Sequence, residues 1–223
     1  MVRRPRVRLQ RKIEKLKEDL LTMADTVKER LTMSIQAIRD RDREIATAVI
    51  DGDSEINRSE LEIEEGCLEV LALHQPVAMD LRLITGVLKI VNQLERIGDL
   101  AVNIAETAIL MASEEPLDVP SEYFVMAEKT QAMLSKALTA FTKMDEEMAV
   151  EILSDDDEID MMKHKLHSNL EERLTQEIER RRVLIHLFLV SRHLERIADH
   201  ATNIAEDVIY MVTGELVGYD YNP

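Results

Sequence analysis

Residues 94–106 read LERIGDLAVNIAE, and residues 194–206 read LERIADHATNIAE. Ten of the thirteen positions agree at a spacing of 100 residues. An internal repeat constrains architecture more tightly than local propensity, because each copy implies the same supersecondary unit. The polar positions return with the apolar ones: Glu95, Asp99, Asn103 and Glu106 reappear as Glu195, Asp199, Asn203 and Glu206. The pattern predicts a duplicated helical chain whose two halves carry similar acidic motifs.

The repeat extends outward from this segment. At a spacing of 103, Asp42, Glu44 and Ala46 match Asp145, Glu147 and Ala149, and Asp53, Glu55, Ile56 and Asn57 match Asp156, Glu158, Ile159 and Asp160. The change from 103 to 100 puts three fewer residues between the middle and last helices of the second half.

Composition supports an all-α chain. Among 223 residues there are 6 Gly, 5 Pro, 3 Phe, 4 Tyr and no Trp, too few turn and aromatic residues for an all-β protein. The net charge of −16 excludes a general nucleic-acid binder, which needs a basic footprint against phosphates. It suits solubility, cation binding or a basic partner surface. A basic cluster at the start, Arg3, Arg4, Arg6, Arg8, Arg11 and Lys12, reads first as a solvated terminus, with contact to anionic lipid or an acidic partner as the alternative. The single cysteine, Cys67, cannot form an internal disulfide and reads as a buried thiol in a reducing cytoplasm. No signal-peptide stretch opens the chain, and the apolar run from Val183 to Val190, interrupted by His186, is too short to span a bilayer. Any membrane link is therefore expected to run through a partner or a surface contact.

Apolar residues at Leu9, Ile13, Leu16, Leu20, Ala24, Val27, Leu31, Ile35 and Ile38 alternate by three and four, the stripe of an amphipathic helix. The spacing predicts a first helix to about Ile50, ended by Asp51-Gly52. A second is expected from Asp53 to Leu73, stopped by Gln75-Pro76, and a third from Val77 to Ala112. EEPLDVP at 114–120 is the linker. The second half then predicts helices from Ser121 to Leu153, from Ser154 to about Arg180, and onward to about Val212, with Gly214 as the stop. The fold expected is six helices in two tandem, duplicated antiparallel three-helix bundles, over residues 9–114 and 121–214.

On a helix advancing roughly 100° per residue, Glu95, Asp99 and Glu106 fall on the same stripe as Ile84, Leu88, Val91 and Val102. Like charges four apart repel, and burial raises the cost unless protonation, an arginine or a metal compensates. The middle helices offer a second pair each: Asp156 with Asp160, and Asp53 with the neutral Asn57. Facing pairs from two helices supply several oxygen ligands, suited to Mg, Ca, Mn or iron; His164 and His167 in the second half would admit Zn, Ni or iron. Against this, any single Glu-x-x-x-Asp among 44 acidic residues reads as solvated helix surface. Nucleophile motifs, phosphate-binding glycine loops and Cys-x-x-Cys pairs are missing.

With LERIGDLAVNIAE and LERIADHATNIAE, HQPVAMDLR at 74–82, and DGDSEIN and DDDEID opening the middle helices, the chain resembles the PhoU family from about Leu9 to Gly214. The resemblance implies a non-enzymatic cytoplasmic regulator of phosphate uptake. Such proteins link the phosphate-specific ABC transporter, through its ATPase PstB, to the sensor histidine kinase PhoR and repress the phosphate regulon. It also implies metal on Glu95, Asp99, Glu195, Asp199, Asp156 and Asp160, with Asp53 and Asn57 as the weaker set, because Asn57 departs from the full motif. A homodimer is expected. Two rivals remain at this point: a carboxylate-bridged di-metal enzyme and a purely structural helical scaffold. The first needs Glu-x-x-His pairs, and no histidine here has Glu three residues before it.

Overall fold

The stripe positions from Ile13 to Ile38 are all buried in the first helix, α1 (Arg3–Asp40). The structure, a computed structural model, describes residues 3–217, with side chains from residue 7 onward. The side chains of Arg3, Arg4 and Arg6 and the tail from residue 218 lie outside the described residues. After α1 come α2 (Arg43–Asp51), α3 (Asp53–His74), α4 (Ala78–Ser113), α5 (Ser121–Lys143), α6 (Glu146–Gln176), a 3₁₀ turn (Ile178–Arg180) and α7 (Arg181–Thr213). No strand occurs among the described residues.

The first turn is displaced from the sequence expectation. The chain reverses at Arg41, left-handed at φ 55°, and the Asp42 carboxylate caps the next helix by accepting from the Glu44 and Ile45 amides at 2.8 and 3.1 Å. Gly52 is right-handed at φ −78°, and its N–H donates to Ala48 O at 3.2 Å, so α2 and α3 run almost continuously. The second half repeats the arrangement. Met144 is left-handed at φ 52°, Asp145 accepts from the Met148 amide at 3.0 Å, and α6 passes unbroken through Ser154–Asp156. Counting α2 and α3 as one interrupted helix, the fold is the expected set of six.

The remaining ends fall close to where the sequence puts them. Gln75 adopts φ 45° and Pro76 follows, ending α3; Gly214 adopts φ 83° and its N–H reaches Tyr210 O at 2.9 Å, ending α7. The positively charged Arg41 also reaches past its own turn. It donates to Met111 O and Glu114 O at 2.6 and 2.7 Å, satisfying carbonyls at the end of α4.

Helices α1, α2–α3 and α4 pack together, α5, α6 and α7 pack together, and the two groups join chiefly through α4 against α7. The repeated motif lies on these two central helices, where Leu94, Ile97, Ala101 and Ile104 are as fully buried as Leu194, Ile197, Ala201 and Ile204. Each such leucine or isoleucine stabilises the fold by about 1.5–3 kcal/mol. The helices approach closely at Gly86, where a Cβ would collide with the Met211 side chain. All the buried hydrophobic residues form one contiguous cluster across both groups.

Candidate functional site

The repeated carboxylates sit at the margin of the buried stripe rather than within it. Glu95 and Glu195 are half-buried, while Asp99, Asp199, Glu106 and Glu206 are more exposed, with Asp99 and Asp199 still partly desolvated by the helices around them. The reason is geometric: Leu94, Ile97 and Ala101 take the centre of the face, and Glu95, Asp99, Glu195 and Asp199 border the groove toward the middle helix of their own half. Glu206 instead lies beside Lys89 and Asp207 at the joint between the halves. Asn203 is turned instead to the joint between the halves, where its amide donates to Gln93 Oε1 at 3.3 Å and His200 Nδ1 pairs with the same oxygen at 2.6 Å.

In the first half, α3 brings Asp53, Asn57 and Glu60 alongside Glu95 and Asp99 of α4. Asn57 donates to Asp53 Oδ2 at 2.9 Å, and the other Asp53 oxygen is buried without a hydrogen-bond partner. The electrostatics record the crowding. Burial, then the charges of Asp99, Glu60 and Asp53, hold the Glu95 carboxyl above the usual range, with Arg96 opposing. Burial and Asp53 raise Asp99, with Arg96 again opposing. Burial and Glu64 raise Glu60, which a hydrogen bond from Asn92 partly offsets. Arg96 gives weak relief, since it is largely exposed and stands 3.8 Å from Glu95.

The second half answers the same problem differently. Lys163 donates to Asp160 Oδ1 at 2.8 Å and to Glu195 Oε1 at 2.9 Å, tying α6 to α7, and its side chain is only 14% exposed. Burial, then Asp160, Asp157 and Glu195, raise Asp156, with Lys163 opposing. Asp199 is pushed up to about 6 by burial and by Glu195, Asp156 and Asp160. His164 is exposed, and His167 Nε2 pairs with Ser191 Oγ at 3.0 Å while its ring stacks on Phe188 at 4.4 Å. Burial, and the nearby Lys163 charge, hold the His167 ring below the ordinary imidazole range.

Each expected set is therefore gathered along one groove: Asp53, Asn57, Glu95 and Asp99 in the first half, and Asp156, Asp160, Glu195 and Asp199 in the second. Among the described residues, no three His, Cys, Asp or Glu side chains are arranged to hold a metal ion as they stand. By donor chemistry, though not by present spacing, the first set suits a hard cation: its donors are oxygens and one Asp53 oxygen is orphaned. The second fits one poorly as arranged, because the Lys163 ammonium already takes one oxygen of Asp160 and one of Glu195. Sequence reasoning missed Glu60 and Lys163. The repeat spacing of 103 places them at the same position of their helices, and that comparison would have found them.

A family model described as the PhoU domain matches residues 20–108 and 125–208, covering both copies of the motif. The chain belongs to the PhoU family. It is 38% identical over 215 residues to the phosphate-specific transport system accessory protein PhoU homolog of Aquifex aeolicus, spanning 96% of this chain and 97% of that one. It is 33% identical over 205 residues to the Escherichia coli accessory protein PhoU, spanning 91% and 84%. The crystal structure of PhoU from Pseudomonas aeruginosa superposes with a TM-score of 0.88 at 34% identity, covering 92% of this chain and 99% of that one. The regulatory protein PhoU from Streptococcus pneumoniae does so with 0.88 at 28% identity, covering 94% and 99%. The duplicated all-helical fold is thus the PhoU fold.

Proposed function

We propose that this PhoU-family chain is a cytoplasmic, non-enzymatic regulator of phosphate homeostasis. It limits phosphate uptake and represses the phosphate regulon by linking the ATPase of the phosphate-specific ABC transporter to a sensor histidine kinase. The observation that carries the reading is the near full-length match to relatives named as accessory proteins of phosphate-specific transport. No helix among the described residues is long and apolar enough to cross a membrane, so the chain reaches the transporter by docking on its ATPase. The net charge of −16 favours basic partner surfaces, where complementarity sets encounter rate and choice of partner.

The grooves supply the second part of the proposal. A divalent or trivalent cation with a preference for oxygen, drawn from iron, Mn, Mg or Ca, is held by Asp53, Asn57, Glu95 and Asp99 with Glu60 beside them. Such an ion joins α3 to α4 and stiffens the first half in its partner-binding shape. Leu61 and Leu68, exposed by 60% and 59% on α3 with Glu64 and Glu65 between them, are apolar contact points for a homodimer.

Affinity capture tests the partner assignment. The immobilised chain should retain the purified transporter ATPase at low salt and release it as ionic strength rises. No retention at any salt concentration would overturn the docking step.

A further inference from the structure

We infer that Lys163 is a tethered cation that takes the place of a metal ion in the second half, so that the two acidic grooves are neutralised by different means. The inference rests on the metal reading of the first half, and reverses the sequence expectation, in which Asn57 made the first-half set the weaker one. Lys163 lies seven residues after Asp156, as Glu60 lies seven after Asp53, so the two occupy one position of the duplicated helix. At that position the first half adds a negative charge and the second a positive one.

The contacts are those of a resident counter-ion rather than a stray surface lysine. Its Nζ reaches Asp160 on its own helix at 2.8 Å and Glu195 on the facing helix at 2.9 Å, from a side chain that is nearly buried. Ammonium-to-carboxylate bonds of this length are charge-assisted and strong. Lysine carries three donors and no acceptor, so it satisfies two carboxylates as a small cation does. A divalent ion on the same oxygens would sit within a few ångströms of the ammonium and be repelled by it. An ion that takes the Asp160 and Glu195 oxygens must displace the ammonium from them. Among the described residues, the counter-charge on the first-half acids is the largely exposed Arg96 rather than a lysine, and the buried Asp53 oxygen is left without a partner.

The test is Mn²⁺ titration of metal-stripped full-length protein, read by electron paramagnetic resonance and by thermal denaturation. Glu95→Gln/Asp99→Asn should remove Mn²⁺ binding from the parent, whereas Glu195→Gln/Asp199→Asn should leave it unchanged. Lys163→Met should melt lower in chelator, gain a new saturable class of Mn²⁺ sites, and recover its melting temperature in Mn²⁺. Adding Glu195→Gln/Asp199→Asn to Lys163→Met should abolish that class. Lys163→Gln, which keeps a donor in the groove, serves if the methionine variant folds poorly. The inference is overturned if Glu195→Gln/Asp199→Asn costs the parent Mn²⁺, or if neither lysine variant gains any. A parent that takes no Mn²⁺ at all, beside a lysine variant that does, would sink the metal reading of the first half and support the role of Lys163.

Discussion

Lys89 Nζ donates to Asp207 Oδ1 at 2.7 Å, joining the motif helix of the first half to that of the second. The pair is lopsided, with 54% of the lysine side chain exposed against 11% of the aspartate. Burial holds the Asp207 carboxyl above its usual range and the lysine partly restores it. Removing the lysine strands a buried carboxylate, whereas removing the charge of the aspartate does not. Lys89→Ala should therefore destabilise the fold by about 1–3 kcal/mol in urea unfolding, and Asp207→Asn by less. Equal costs would show that the joint between the halves does not depend on this charge.

The turn aspartates give a second expectation. Asp42→Ala and Asp145→Ala each remove a carboxylate that accepts from helix N-terminal amides, and each should cost about 0.5–2 kcal/mol. Ser154→Ala, which lies inside continuous α6, should cost little. Urea midpoints for the three variants distinguish the observed turns from the ones that the Asp51-Gly52 and Ser154–Asp156 stretches suggest.

Much of the fold was legible because the duplication and the 3–4 apolar stripe are backbone-scale regularities. The turn at Arg41-Asp42 was not, because neither residue is a breaker and Asp51-Gly52 is a stronger turn signal. Gly52 serves another purpose: a Cβ there would meet the Arg30 guanidinium, which crosses this point to reach Glu55 at 3.3 Å. The acidic motifs were legible as pairs on α4 and α7. Their surroundings were not, since a helical projection places Lys163 on α6 without showing how far its flexible stem reaches toward Glu195.

Asp199 makes the acid response of the metal-free protein specific. Its carboxyl is raised from 3.8 to about 6 in the fold, so the folded state favours the proton. The stabilising contribution is fully present below 3.8 and is lost as pH rises through about 6. Asp199→Asn should therefore be more stable than the parent at pH 7.5, an advantage that shrinks as pH falls through about 6. Denaturant unfolding of both proteins across that range checks it, and a constant difference would contradict the assignment.

Cys67 is fully buried, and burial followed by the Glu64 charge pushes its thiol up to about 12. The thiolate is the reactive form, so the native protein should resist a maleimide at neutral pH. One thiol should react promptly once the chain is unfolded in guanidinium. Rapid labelling of the native state would contradict the packing of α3 against the core.

The central claim concerns regulation, and one measurement reaches it directly. The gene for this chain is deleted in its host, and alkaline phosphatase is followed in phosphate-rich medium, with the parent chain restored on a plasmid as control. The account predicts high alkaline phosphatase in the deletion strain and repression on complementation. Repression that persists in the deletion strain would contradict the proposed role.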